Sequence, residues 1–195
     1  FIRVWNDGKG IPIHMHREEQ MYVPEMLFGH LLTGSNFDDN EKRLTGGRHG
    51  YGAKLANIFS KSFSIEALDS KRKLRYHQTW TNNMTEAGSP QIEKVVGSSD
   101  YTCVEFVPDL PRLTGEVDAA SISPEDYAVM CRRVVDVAGC AAGGLQVTLN
   151  GRDVSFQSFA DYSLLYRSPQ ALPVVFHKIN ARWNLGVGLS ETGSF

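Results

Sequence analysis

The segment Leu44-Thr45-Gly46-Gly47-Arg48-His49-Gly50-Tyr51-Gly52-Ala53-Lys54-Leu55 combines four glycines with two cationic side chains, and apolar Leu55, Ile58 and Phe59 follow at helical spacing. Glycine at 47, 50 and 52 lets the backbone take positive φ and turn its N–H groups toward one point. The start of the helix adds amides without intrahelical partners and the positive end of its dipole. A loop of this kind receives an anion, phosphate above all. An isolated Gly-x-x-Gly-x-Gly is more often a plain surface turn. Arg48 and Lys54 beside the nest shift the reading toward an anion site.

Three common phosphate loops are excluded letter by letter. A P-loop needs Gly, four residues, Gly, then Lys and a Ser or Thr whose hydroxyl serves magnesium. Here Gly47 and Gly52 are followed by Ala53 and Lys54, with Leu55 where the hydroxyl belongs. A Rossmann fingerprint places Gly-x-Gly-x-x-Gly straight after a strand, but Gly50-Tyr51-Gly52 leads to Leu55 at the third glycine position. The glycine-rich loop of protein kinases fails at the same place.

A second glycine motif lies upstream. Phe1-Ile2-Arg3-Val4-Trp5 alternates β-branched and aromatic residues as a strand does, and it runs into Asn6-Asp7-Gly8-Lys9-Gly10-Ile11-Pro12. Gly8 and Gly10 allow a tight turn and the close approach of a ligand. Asn6, at the strand end, offers both a donor and an acceptor, and such an amide can read the edge of a nucleobase. Alone, Asn-Asp-Gly is an ordinary hairpin signal.

Together, Asn6-x-Gly8-x-Gly10 and Gly47-x-x-Gly50-x-Gly52 resemble the Bergerat nucleotide fold of the GHKL ATPases. The run from Met21-Tyr22-Val23-Pro24-Glu25-Met26 through Gly34-Ser35-Asn36-Phe37-Asp38-Asp39 is similar to the eukaryotic type II DNA topoisomerases, and so is Thr45-Gly46-Gly47-Arg48. Gln78-Thr79-Trp80, Asp100-Tyr101-Thr102-Cys103, Phe106-Val107-Pro108-Asp109-Leu110 and Leu149-Asn150-Gly151 extend the resemblance over nearly the whole chain.

The resemblance implies an α/β (α+β) sandwich with a mixed or antiparallel sheet. Residues 1–154 would form the ATPase domain and 155–195 the beginning of a ribosomal S5-like transducer domain. It implies ATP and Mg2+, a homodimeric gate closed by ATP, and passage of double-stranded DNA by the full-length enzyme. The implied location is the nucleus, with a mitochondrion or other DNA-containing organelle as the alternative. For the site it implies Asn6 on adenine with Gly8 and Gly10 beside it, and Ser35 and Asn36 on the ribose and phosphates. Arg48, His49, Gly50, Tyr51, Gly52, Ala53 and Lys54 would surround the phosphates, with Thr102 near the nucleotide. Gly34 stands where the family often has serine. His49 stands where many relatives carry asparagine, so only its backbone contact carries over. The family's general-base glutamate and magnesium-binding asparagine are expected upstream of Phe1, and the transducer loop that reaches the γ-phosphate past Phe195. The chain on its own is therefore expected to bind nucleotide poorly and hydrolyse none. Another GHKL ATPase, of chaperone or mismatch-repair type, and a nucleotide-gated interaction module without catalysis are the alternatives. The Tyr22-to-Asn36 segment and Gln78-Thr79-Trp80 speak against the former.

Composition sets outer bounds. With 195 residues, 42% of them hydrophobic, the chain can build one good core. No apolar run approaches the roughly 20 residues of a membrane span. A net charge of −2 gives no general attraction to DNA, so this is not the main DNA grip. Three cysteines, Cys103, Cys131 and Cys140, lack metal-like spacing and suit buried thiols in a reducing compartment.

Local patterns complete the reading. His14 and His16 lie in a polar loop without a third ligand. Val23, Met26, Leu27 and Leu31 predict a helix from Val23 to Leu32, stopped at Thr33-Gly34. The charged run Asp38–Arg43 reads as a solvated segment or a lid. Ser62–Ala67, Leu74–Trp80 and Thr102–Val107 alternate as antiparallel strands, with a hairpin turn at Asp69-Ser70-Lys71. Ser123 caps a helix whose stripe Tyr127, Met130, Val134, Val135 and Ala138 reads as core packing, ending near Gly139. Asn150-Gly151 marks a hairpin, Phe159–Tyr166 a short helix. Val174–His177 and Trp183–Leu189 read as strands with an unpaired edge.

Overall fold

The computed structural model describes residues 1–31, 33, 50–96, 99–141, 145–167, 173–180 and 182–189. The chain forms two compact units, Phe1–Ser121 and Ile122–Phe195.

Period-two patterning dictates the first unit. Strands β1 (Ile2–Asn6), β2 (Ser60–Asp69), β3 (Leu74–Thr81), β4 (Glu86–Ala87), β5 (Gln91–Lys94) and β6 (Tyr101–Pro108) form one sheet. Its order is β1-β6-β2-β3-β4, with β5 also on β3, and every pairing is antiparallel. Residues directly opposite one another on neighbouring strands share a face. One row therefore runs Ile2, Phe106, Phe63, Trp80. The next runs Val4, Val104, Ile65, Gln78, and the third Asn6, Thr102, Ala67, Tyr76.

Helices α1 (Val23–Gly29) and α2 (Tyr51–Ile58) pack on the sheet. Phe28 of α1 lies 6.0 Å from Phe63 between ring centroids, and Phe63 also meets Trp80 at 6.1 Å and Phe106 at 6.2 Å. Aromatic contacts of this kind add about 0.5–1.5 kcal/mol each beyond simple burial. Phe63, Ile65, Ala67 and Tyr76 are fully buried. Among them Gln78 accepts the Tyr76 hydroxyl and donates to the Gly88 carbonyl at 2.9 Å, so its buried amide is satisfied at both ends. The opposite face carries rows such as Arg3, Glu105, Ser64 and Thr79, as expected of an antiparallel sheet with one wet side.

Two expectations change here. The first helix stops at Gly29, short of Leu32, and His30 is extended at φ −129° and ψ 136°. Its final carbonyls find partners elsewhere: the Thr33 hydroxyl bonds Met26 O at 3.0 Å, and Asn57 Nδ2 bonds Phe28 O at 3.1 Å. No further helical turn is needed, and Leu31 remains half exposed. Gly34, the expected stop, lies outside the described residues. In α2 the buried residues are Lys54 and Asn57, whereas Leu55 of the apolar pattern is 47% exposed. Among the described residues β1 is bonded only to β6, an edge strand that leaves Val4 and Trp5 more than half exposed on its two faces. A short helix, α3 (Leu110–Thr114), ends the unit's regular structure.

In the second unit, α4 (Pro124–Cys140) begins where the Ser123 hydroxyl accepts from Asp126 N at 3.0 Å. β7 (Val147–Leu149) and β8 (Arg152–Val154) join through Asn150 and Gly151 at φ 50° and 77°, the two left-handed residues of a type I′ turn. α5 (Phe159–Ser163) continues into a 3-10 turn, Leu164–Tyr166, so the expected single helix divides. β9 (Val175–Lys178) and β10 (Asn184–Val187) pair with each other, every residue exposed.

The α4 stripe differs from expectation: none of its residues is buried, Tyr127 and Met130 are exposed, and Val134, Val135 and Ala138 are half-buried. Polar bonds add to the packing of α5 on α4. Asp136 Oδ1 accepts from the hydroxyls of Tyr162 at 2.9 Å and Tyr166 at 2.5 Å, and these bonds draw the carboxyl below its usual range. Cys140 is exposed rather than buried, since it closes α4, while Cys103 is buried within β6.

Gly139 makes the seat for Tyr162, because a Cβ there would lie 2.1 Å from the ring. Gly139→Ala is expected to destabilise this unit by about 1–3 kcal/mol through overpacking. Its measure is the thermal midpoint, and an unchanged melt would show that Tyr162 is not seated against α4.

Candidate functional site

The residues singled out for a nucleotide fall into two groups. The first lies where β1 meets β6. Asn6 and Thr102, far apart in sequence, are direct cross-strand partners in the row that continues to Ala67 and Tyr76. That row passes from the buried core at Tyr76 and Ala67, through half-buried Thr102, to exposed Asn6. The amide therefore stands on the core side of the sheet but at its open edge. Gly8 is exposed beside it, where a Cβ would sit 3.4 Å from Asn6 Nδ2.

Gly10 has a cause within the chain that the sequence did not show: a Cβ there would lie 2.6 Å from Leu68 O, so the protein's own backbone already requires glycine. Neither Gly8 nor Gly10 has positive φ.

Two carboxylates missed by sequence reasoning fix this turn. Asp100 Oδ1 accepts from Ser70 N at 2.6 Å, and its Oδ2 lies 3.5 Å from Gly10 N. Hydrogen bonds from Ser70, with that from Gly10, hold the Asp100 carboxyl below its ordinary range. Asp69 Oδ2 accepts from Ile13 N at 3.0 Å and from Arg72 Nη1 at 2.9 Å, while its Oδ1 accepts from Arg72 N at 2.9 Å. Burial raises the Asp69 carboxyl, but the bonds from Ile13 and Arg72 outweigh it and its pKa falls below 3.8. The sequence signal was an acid at a strand end next to a turn, which also fits a plain hairpin.

Asp69→Ala should therefore cost about 1–3 kcal/mol, since the Ile13 amide would be left buried and unpaired. A depressed carboxyl pKa contributes stability that is present above the unfolded value and lost as pH falls through the folded one. Wild type should lose this part of its stability below pH 3.8, and Asp69→Ala should lack that loss in acid melts.

The second group opens α2. Gly50 is its N-cap at φ 64° and ψ 21°, a left-handed conformation that favours glycine, and as a glycine it offers no side-chain cap. Tyr51, Gly52 and Ala53 follow in an exposed first turn. A Cβ on Gly52 would meet nothing within 4 Å. Lys54 is only 2% exposed, and its Nζ donates to Gly50 O at 3.1 Å. Burial lowers the Lys54 pKa from its ordinary 10.5, which marks an ammonium short of solvation. Ser35, Asn36, Arg48 and His49 lie outside the described residues.

Two cavities lie elsewhere. An apolar groove of about 320 Å³ runs along Leu55, Phe59, Phe106 and Leu113, and one of about 430 Å³ lies against Phe159, Phe176 and Leu185 in the second unit. Neither is lined by Asn6, Thr102 or residues 50–54. Among the described residues, no group of three or more His, Cys, Asp or Glu could hold a metal ion. No helix among them is long and apolar enough to cross a membrane.

An antiparallel sheet with helices on the face that carries the strand-end amide, and a glycine-capped helix start preceding the central strand, is the GHKL ATPase fold. No family model matches the chain. DNA topoisomerase 2 of Arabidopsis thaliana is 46% identical over 197 residues, covering 97% of this chain and 13% of that protein. The solved ATPase region of Saccharomyces cerevisiae topoisomerase II superposes with a TM-score of 0.89 at 43% identity, covering 97% of this chain and 49% of the other. The ATPase and transducer domains of DNA topoisomerase II from Balamuthia mandrillaris give 0.86 at 47% identity, with 99% and 48% covered. The chain belongs, by homology over nearly its whole length, to the ATPase region of the eukaryotic DNA topoisomerase II family. It spans about an eighth of the length of the curated relatives it matches.

Proposed function

We propose that this chain forms the ATP pocket of a type II DNA topoisomerase. Asn6 reads adenine, with Gly8, Gly10 and Thr102 around it. Ser35 and Asn36 take the ribose and phosphates, and Arg48, His49, Gly50, Tyr51, Gly52, Ala53 and Lys54 surround the phosphates. The observation that carries this reading is the start of α2: a left-handed glycine as N-cap, and a second glycine in the first turn whose Cβ would meet nothing within 4 Å among the described residues. First-turn amides lack intrahelical acceptors, and the helix dipole favours an anion in front of them.

Lys54 supplies the charge. Its ammonium is bonded to Gly50 O and desolvated, so a phosphate would replace the solvation that burial removed. Asn6 supplies an oppositely directed donor and acceptor, which a purine edge can match. The described residues include no group of three or more His, Cys, Asp or Glu that could hold Mg2+. ATP binding closes a homodimeric gate in the full-length enzyme, which then passes one DNA duplex through another, in the nucleus. Residues 1–154 form the ATPase domain and 155–195 the start of the transducer.

The test is a titration of the full-length protein with a non-hydrolysable ATP analogue and magnesium, followed by an ATP-dependent decatenation assay. Saturable binding with decatenation is expected. Binding without decatenation would point to a GHKL ATPase of another type, and absence of binding would sink the pocket.

A further inference from the structure

We infer that Asn57 is a positioning residue for the phosphate end of the nucleotide site, an inference that rests on the ATP-binding reading above. Asn57 is 1% exposed and lies three residues after Lys54, so both sit on one side of α2. Its Nδ2 donates to Phe28 O at 3.1 Å, across to the last turn of α1, where carbonyls have run out of helical partners. Its Oδ1 is buried with no hydrogen-bond partner among the described residues.

A half-satisfied amide is a costly way to fill space. An apolar side chain of similar size would occupy this place without stranding an acceptor, so the amide is kept for its donor end. That donor ties α2 to α1, and α1 in turn is anchored in the core through Phe28 against Phe63. α2 is only eight residues long and starts at a glycine N-cap. Pinning it at Asn57 fixes the direction in which the first turn and Lys54 present themselves. The adenine end, Asn6 and Thr102, is held separately by the pairing of β1 with β6.

This separation gives a readout that a general loss of structure would not produce. In the full-length protein, affinity for a non-hydrolysable ATP analogue and for adenosine is measured for wild type, Asn57→Ala and Asn57→Asp, with melts recorded without nucleotide. Asn57→Asp keeps the side-chain shape but turns an acceptor toward the Phe28 carbonyl. Both variants should lose at least tenfold in analogue affinity while binding adenosine as wild type does. Equal losses for both ligands, or no loss, would overturn the inference, and so would failure of both variants to fold, since Asn57 would then serve folding alone. Lys54→Met, run alongside, separates the two readings. If wild type binds no analogue, the ATP pocket itself is wrong; if Lys54→Met binds it as wild type does, Lys54 is not in the phosphate site. If it loses affinity while the Asn57 variants do not, only the positioning role falls.

Discussion

Lys54→Met in the full-length protein should weaken binding of a non-hydrolysable ATP analogue at least tenfold while leaving the fold intact. A charge-assisted bond to phosphate contributes about 1.5–3 kcal/mol, roughly a ten- to hundredfold change in affinity. Methionine keeps the unbranched stem that fills the space beneath α2, where Lys54 is 2% exposed. Alanine would remove the charge too, but would also open a cavity and mix the two effects. The direction of the pKa shift sharpens the expectation. Burial lowers the Lys54 pKa from 10.5, so below the folded value the protein holds an ammonium it solvates poorly. That penalty fades as pH rises through the folded pKa. Removing the charge should therefore leave the nucleotide-free melting temperature at neutral pH unchanged or higher, even as affinity falls. Calorimetric titration and a melt on the same sample decide it. Wild-type affinity in the variant would remove Lys54 from the phosphate site.

The sheet was legible because each strand reports its own burial. Ser62–Ala67, Leu74–Trp80 and Thr102–Val107 all fall inside β2, β3 and β6, where Phe63, Ile65 and Tyr76 alternate with half-buried neighbours. Caps and tight turns were legible for the same local reason, as at Ser123 and Asn150-Gly151. What failed depends on distant partners. Apolar spacing named Leu55 as an inward residue of α2, yet the enclosed side chains are Lys54 and Asn57, because each has a carbonyl to bond. The end of α1 was misplaced because Thr33 and Asn57 complete its carbonyls from outside the helix. Asp69 and Asp100 looked like turn residues and prove to be staples on Ile13, Ser70 and Gly10, across long stretches of chain. At the site, Asn6 and Thr102 were named through resemblance. Their adjacency in one row on the core face of the sheet is a matter of register, which no single strand carries.

Gly52→Ala should split stability from binding. Gly52 occupies the first turn of α2 without positive φ, and a Cβ on it would meet nothing within 4 Å. Nothing among the described residues requires glycine here, and in a helix alanine is favoured over glycine by up to about 1 kcal/mol. The variant should melt at the same temperature as wild type or higher. Gly10 is the contrasting case, because the Leu68 carbonyl already forbids a side chain there. On the proposed function, glycine at 52 serves a ligand: phosphate oxygens would approach the first-turn amides closely enough to occupy the space a methyl group would take. Affinity for the ATP analogue should then fall at least tenfold, and the loss should be smaller for adenosine, which carries no phosphate. Normal analogue binding by a well-folded Gly52→Ala would mean that phosphate does not sit against Gly52. The reading of α2 as an anion seat would then have to rest on Lys54 alone.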